Sequence, residues 1–222
     1  MGSDSGRSSE PVARGAPCRH APATVRNRQP ILEVLRTLLP TEGTVLEIGS
    51  GSGEHVTYFA AHWPKLIWQP SDLNDCSLAS IAAWCAEMGC ANVRPPRRLD
   101  AALAPWPDIP HGTIDAVICI NVIHIAPWPV CRGLMAGARA ALRPGAPLVL
   151  YGPFMRDGRH TAPSNAAFDR MLKDSDPRFG VRDLSDVTAE AAAHDLMADT
   201  VVEMPANNLT VVFRRGDDAL RV

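Results

Sequence analysis

The stretch Glu47-Ile-Gly-Ser-Gly-Ser-Gly53 constrains this chain most, because it stands between an apolar run and a helical pattern. Thr44-Val-Leu-Glu-Ile48 before it reads as a short buried strand. Val56, Phe59, Ala60 and Trp63 after it recur at helical spacing until Pro64 stops them. Glycines at alternate positions let the backbone turn sharply and approach a ligand that a Cβ would exclude. A purely structural tight turn would use the same residues, so the loop takes its meaning from its surroundings. Leu66-Ile-Trp68 follows as a second strand, which makes the unit β-α-β.

The alternation continues. Cys76 to Met88 carries Leu78, Ile81, Ala82 and Cys85 on one face with Gly89 at the C-cap position, and a third short strand is expected to end near Leu99. Ile114 to Ile120 is the clearest buried strand. A helix from Trp128 to Leu142 and a fifth strand, Pro147 to Tyr151, come next. Strands alternating with helices predict a parallel α/β sheet with helices on both faces and ligands beyond the carboxyl ends of the strands. Upstream, Pro30 is expected in the first turn of an amphipathic helix bearing Ile31, Leu32, Leu35, Leu38 and Leu39 and ended by Pro40. Downstream, a helix at Asp186 to Leu196 leads to Thr200 to Glu203 and Leu209 to Phe213, whose short connection predicts a C-terminal antiparallel hairpin. Residues 152–184 read as polar and irregular, with a short helix at Ala166 to Leu172, and are a candidate substrate lid. Residues 1–24, rich in Ser, Arg, Pro, Gly and Ala, read as a flexible tail, and 25–222 as one domain starting near Arg26.

Composition excludes several classes of function. With a net charge of −2 over 222 residues, the chain has no field to attract a polyanion, so neither nucleic acid nor an anionic membrane is an expected partner. No apolar run approaches the roughly 20 residues needed to span a bilayer, and the first residues lack a signal peptide's apolar core; a cytoplasmic protein is expected. The six cysteines form no CxxC pair and the seven histidines no HxxxH pair, so no metal site is expected and the thiols read as buried and reduced.

Charge sharpens the reading of the glycine loop. A dinucleotide-binding turn has the form G-x-G-x-x-G and holds a pyrophosphate, whereas this one is G-x-G-x-G between Glu47 and Glu54. Two carboxylates would repel a pyrophosphate. They suit S-adenosylmethionine (SAM), which has no phosphate and carries a sulfonium and an ammonium. Asp72, just beyond the second strand, can accept hydrogen bonds from both ribose hydroxyls; alone it would read as a turn or cap residue, with Asp75 as the competing cap. Asp100 can accept the adenine amino hydrogen or stand as a solvated loop acid. Asn121 ends the fourth strand, where the chain passes below the methionine part of the cofactor, and His124 follows.

Val45-Leu-Glu-Ile-Gly-Ser-Gly-Ser-Gly53, Asp72, Asp100, the Ile114 to Asn121 strand and Leu142-Arg-Pro-Gly145 resemble the successive motifs of class I SAM-dependent methyltransferases. Arg26 to Leu32, Trp68 to Asp72, Asn121 to Ile125 and Pro205 to Leu209 resemble more closely an uncharacterised methyltransferase-like family, a domain of unknown function. The resemblance implies a Rossmann-like sheet and SAM as cofactor, but no substrate. It assigns Glu47, Gly49, Gly51 and Gly53, with Ser50, to the methionine and ribose parts, Asp72 and Leu73 to the ribose, Asp100 and Ala101 to adenine, and Asn121 to the methionine end. The fourth strand ends in Asn121-Val-Ile-His124 instead of the N-P-P-Y or D-P-P-Y form of amino-methylating nucleic-acid enzymes, which with the low charge argues for a small-molecule acceptor.

Methyl transfer from a sulfonium needs alignment and a dry site more than a catalytic group. Where the acceptor must lose a proton, His124 or Tyr151 are the candidate bases; His124 could equally satisfy backbone groups in the turn before Pro127, and Tyr151 reads more readily as a pocket wall. Arg26, Asn27, Phe154, Asn165, Arg182 and Asn207 are candidate acceptor contacts. The competing readings are a SAM- or nucleotide-binding protein that acts through a partner and, further off, an NAD-dependent oxidoreductase.

Overall fold

The computed structural model describes residues 18–217. Five strands run parallel: β1 (Gly43–Ile48), β2 (Leu66–Asp72), β3 (Arg97–Arg98), β4 (Ala116–Ile120) and β5 (Pro147–Gly152). With the antiparallel hairpin β9 (Leu196–Met204) and β10 (Asn208–Arg215) they form one sheet in the order β3-β2-β1-β4-β5-β10-β9. The parallel sheet and terminal hairpin are as the sequence predicts.

Every residue of β4 and β5 is buried, because helices cover both faces and the strands need no polar side. The two-residue side-chain period of a strand then divides the apolar residues between two cores. Leu46, Val117, Cys119, Leu148 and Leu150 pack under α4 (Trp128–Ala141) and α6 (Leu184–Ala193). Val45, Ile118 and Val149 pack under α1 (Pro22–Leu38), α2 (Glu54–Ala60) and α3 (Asp75–Met88).

Two segments differ from the expectation. Helix α1 begins at Pro22, and Pro30 lies in its interior instead of its first turn. Residues 22–29 show no apolar period because their inward face, Thr24 and Asn27, is polar and packs toward the cavities described below instead of the core. Of the stretch read as a tail, residues 1–17 lie outside the described residues, while 18–21 lead into α1 and are hydrogen-bonded to the domain.

Residues 152–184 are ordered, not irregular. They contain β6 (Phe154–Arg156), β7 (Arg159–His160) and β8 (Arg182–Asp183) in a small second sheet, and a thirteen-residue helix α5 (Pro163–Ser175). Polar side chains bonded to backbone hold this unit together, which is why it looked structureless by hydrophobic pattern. Buried Asp169 accepts the Val181 N–H at 2.8 Å and pairs with Lys173 at 2.7 Å, and Asp183 accepts N–H groups of Gly158 and Ser185.

Candidate functional site

Ile48, Asp72 and Ile120, the last residues of β1, β2 and β4, line one cavity of about 480 Å³. Its position follows from the topology: strand order reverses beside β1, and the loops leaving neighbouring strands diverge there. The glycine loop forms its floor through Gly49, Ser50 and Gly51. Gly51 has φ +58°, and a Cβ there would meet nothing within 4 Å, so it would project into open space beside the cavity. Gly53, at the start of α2, does not line the cavity and instead packs against Ile81.

Asp72 ties the loop to β2: its Oδ2 accepts the Gly51 N–H at 2.9 Å and its Oδ1 the Asn74 N–H at 2.9 Å. The cap of α3 is neither Asp72 nor Asp75. Asn74 accepts the N–H of Cys76 and Ser77, and Asp75 pairs with Arg98. Leu73, Asp100 and Ala101 continue the wall; Asp100 Oδ1 accepts the Ala102 N–H at 2.9 Å. Ala21, Ala23 and Thr24 cover the cavity from above. They are held there by Glu54, which accepts the Ala21 N–H at 2.6 Å and faces His20, and by Ser80, which accepts the Arg19 N–H at 2.9 Å. Glu54 therefore anchors the N-terminal segment and does not face the cavity.

Glu47 is likewise absent from the lining. It is 2 % exposed, and among the described residues its Oε2 has no hydrogen-bond partner. Burial pushes its carboxyl up to about 7, partly offset by Ser50 and reinforced by the Asp72 charge.

A second cavity of about 480 Å³ adjoins the first, since Ala23, Asn121 and Ile125 line both. Arg26, Asn27 and Pro30 reach it from α1, Tyr151 and Pro153 from the end of β5, and Asn165 and Phe168 from α5. The turn between β9 and β10 closes it with Pro205, Ala206 and Asn208. Asn207 does not line it, although its carbonyl accepts the Asn165 amide at 2.9 Å. Tyr151 is 4 % exposed; burial raises its hydroxyl pKa, and hydrogen bonding from the Asn27 side chain partly offsets this. Asn27 Oδ1 lies 2.8 Å from His55 Nε2, and His55 lines the first cavity. Burial holds the His55 imidazole down at about 4, so it is neutral and donates through Nε2.

Besides Glu47, Gly53 and Asn207, three more expected positions line neither cavity. His124 lines neither cavity. Asn121 has φ +59°, and in the turn that follows the His124 ring is buried, edge-on to Phe154 and against Gly152, where a Cβ would collide with its Nε2. Neither ring nitrogen has a hydrogen-bond partner among the described residues, and burial lowers its pKa to about 3. The ring therefore faces neither cavity. Phe154 is fully buried in the core, because β6 turns under the sheet. Arg182 donates to the carbonyls of Ile123, Ala126 and Arg178 and lies over Trp128, so it clamps the loop after β4 without touching either cavity.

Sequence reasoning missed His55, Phe168, Pro205, Ala206 and Asn208. For His55 a signal existed, its place in the first turn after the glycine loop. Phe168 had none, since its role depends on α5 passing over the end of β5.

A model of the family described as protein of unknown function, DUF938, matches residues 18–215. Solved structures of similar fold include an O-methyltransferase family protein from Burkholderia thailandensis, with a TM-score of 0.74 at 18% identity over 88% of this chain and 58% of that one. An O-methyltransferase family 2 protein from Planctomyces limnophilus, solved with apigenin, gives 0.69 at 18% identity over 86% and 59%. A SAM-dependent methyltransferase from Aquifex aeolicus gives 0.66 at 16% identity over 88% and 94%. At these identities the likeness is one of fold, that of class I SAM-dependent methyltransferases. The chain spans less than two thirds of the Burkholderia and Planctomyces proteins and nearly all of the Aquifex one.

Proposed function

The chain belongs to the DUF938 family, and from its fold and its two adjoining cavities we propose that it is a SAM-dependent methyltransferase acting on a small molecule. The observation that carries the reading is the chemistry of the first cavity. Among its described lining residues it has two carboxylates, Asp72 and Asp100, and no lysine or arginine. Such a lining favours a ligand with hydroxyl and amino donors and positive charge, and disfavours a pyrophosphate. The cavity volume is within the usual range for small-molecule sites.

The residues fit SAM. Asp72 would accept the ribose hydroxyls with the lone pairs left after its two backbone contacts, Asp100 the adenine amino group, and Asn121 would lie at the methionine end. Gly51 leaves the floor open, with Gly49, Ser50, Leu73 and Ala101 as apolar and small neighbours. Bound there, SAM supplies a methyl group on a positively charged sulfur, which an acceptor lone pair takes while the carbon–sulfur electron pair stays on sulfur. The chain's own task is alignment and exclusion of water. Tyr151, with its pKa raised by burial, stays neutral near pH 7 and orients the acceptor by a hydrogen bond instead of removing its proton; Asn27 and Asn165 hold the same cavity.

Calorimetry with SAM and with S-adenosylhomocysteine tests the cofactor, and conversion of one to the other in the presence of a metabolite extract tests transfer. Binding without conversion would favour a non-catalytic SAM-binding protein that acts through a partner. Absence of binding would refute both.

A further inference from the structure

The two cavities are opposite in charge. Asp72 and Asp100 are the carboxylates of the first. In the second, Arg26 is the one charged side chain among the described lining residues, none of which is a carboxylate that could neutralise it. Arg26 is exposed, on the second turn of α1, and makes no salt bridge or side-chain hydrogen bond among the described residues, although many other arginines of the protein are paired. A guanidinium beside an apolar cavity with only neutral polar neighbours, Asn27, Asn165, Asn208 and Tyr151, is a receptor for an anion, because its planar fork matches a carboxylate in two parallel hydrogen bonds. The rest of the lining is largely apolar and conformationally stiff: three prolines, Pro30, Pro153 and Pro205, and the planar Phe168 ring, which is only partly buried and stands outside both cores.

From this we infer that the acceptor is a small carboxylic acid with a flat apolar body, its carboxylate held by Arg26 and a different group presented for methylation. The inference rests on the methyltransferase reading of the joined cavities. The placement has a reason. Arg26 lines only the second cavity, whereas Asn121 and Ile125 line both, so an acid anchored at Arg26 directs its other end toward the junction. Its negative charge also complements a cationic cofactor next door. The geometry makes Arg26 a specificity residue, not a catalytic one.

The test uses matched pairs of planar hydroxylated monoacids and their neutral amides, 4-hydroxybenzoate with 4-hydroxybenzamide and 4-hydroxycinnamate with its amide, titrated by ligand-observed NMR into protein saturated with S-adenosylhomocysteine. An exposed but bidentate ion pair predicts that the acids bind about threefold to tenfold more tightly than the amides. Arg26→Gln should bring each pair to within about twofold, and Arg26→Lys should restore part of the preference, since the charge returns without the fork. S-adenosylhomocysteine affinity should be the same in all three proteins, which also reports that the variants fold. Amides binding as well as acids, an acid preference that survives Arg26→Gln, or no binding of any probe to the loaded protein would overturn the assignment of the acceptor class and leave the cofactor reading intact. Failure of the wild type to bind S-adenosylhomocysteine would instead strike at the methyltransferase reading itself.

Discussion

Asp72 performs two tasks with one carboxylate, ending β2 and tying down the glycine loop through the Gly51 N–H. With the ribose on Asp72 as proposed, Asp72→Ala should weaken S-adenosylhomocysteine binding by roughly 10²- to 10⁴-fold, since two charge-assisted hydrogen bonds would be lost at about 1.5–3 kcal/mol each. Calorimetry on the folded variant checks this, and unchanged affinity would remove Asp72 from the site. Gly51→Val should weaken S-adenosylhomocysteine binding in calorimetry, because a β-branched residue at φ +58° strains the loop and adds a side chain beside the cavity. Glu47 makes a prediction about pH. Its carboxyl is raised from its ordinary 4.5 to about 7, so the folded state holds the proton more tightly than the unfolded one. Stability from this group is complete below about pH 4.5 and is lost as pH rises through 7. Glu47→Gln, which mimics the protonated acid, should therefore be more stable than the wild type at pH 8 by roughly 2–3 kcal/mol and no more stable at pH 4.5. Urea denaturation of the ligand-free proteins at both pH values reads the difference. His55 and His124 carry shifts of the opposite sign, losing stability as pH falls below the ordinary imidazole range, and they cancel because both proteins contain them.

At the scale of elements, residues 152–184 do more than stand beside the site. Arg182, at the start of β8, bonds to Ile123 and Ala126 in the loop after β4, and Ala126 and its neighbour Ile125 line the first cavity. Cutting the segment out would thus disturb the first cavity as well as the second, which a simple lid over the second would not do. Arg182→Met should lower the melting temperature by about 5 °C or more and weaken S-adenosylhomocysteine binding about tenfold, although the guanidinium touches neither cavity. Phe168→Ala, on α5, should leave both within error, because that ring lines only the second cavity and packs in neither core. Equal effects of the two substitutions would mean that α5 also supports the cofactor.

Over the whole molecule, the N-terminal segment and α1 bridge the two cavities, with Ala23 in both, Thr24 in the first and Arg26 in the second. Glu54 anchors this roof to the first turn of α2. Glu54→Ala should speed amide hydrogen exchange at Arg19 and Ala21 while β4 and β5 exchange as before, and should weaken S-adenosylhomocysteine binding. Unchanged exchange at Ala21 would show that its bond to Glu54 does not hold the segment. The sequence by itself determined the parallel sheet, the hairpin and the glycine loop, because buried strands, helical stripes and tight turns each leave a local pattern of apolar residues and glycines. That Asp72, Asp100 and Asn121 line the first cavity has the same origin, since they stand at or within two residues of the ends of β2, β3 and β4. Only the tertiary structure decided that His124 and Phe154 turn into the core, that Arg182 clamps a loop, and that Asn27 lies between His55 and Tyr151. A side chain at the end of a strand can point into the cavity or away from it according to one left-handed residue such as Asn121, and chain segments far apart in sequence meet only through packing. The second cavity is built from α1, β5, α5 and the hairpin turn, and no local pattern records which of their faces will meet.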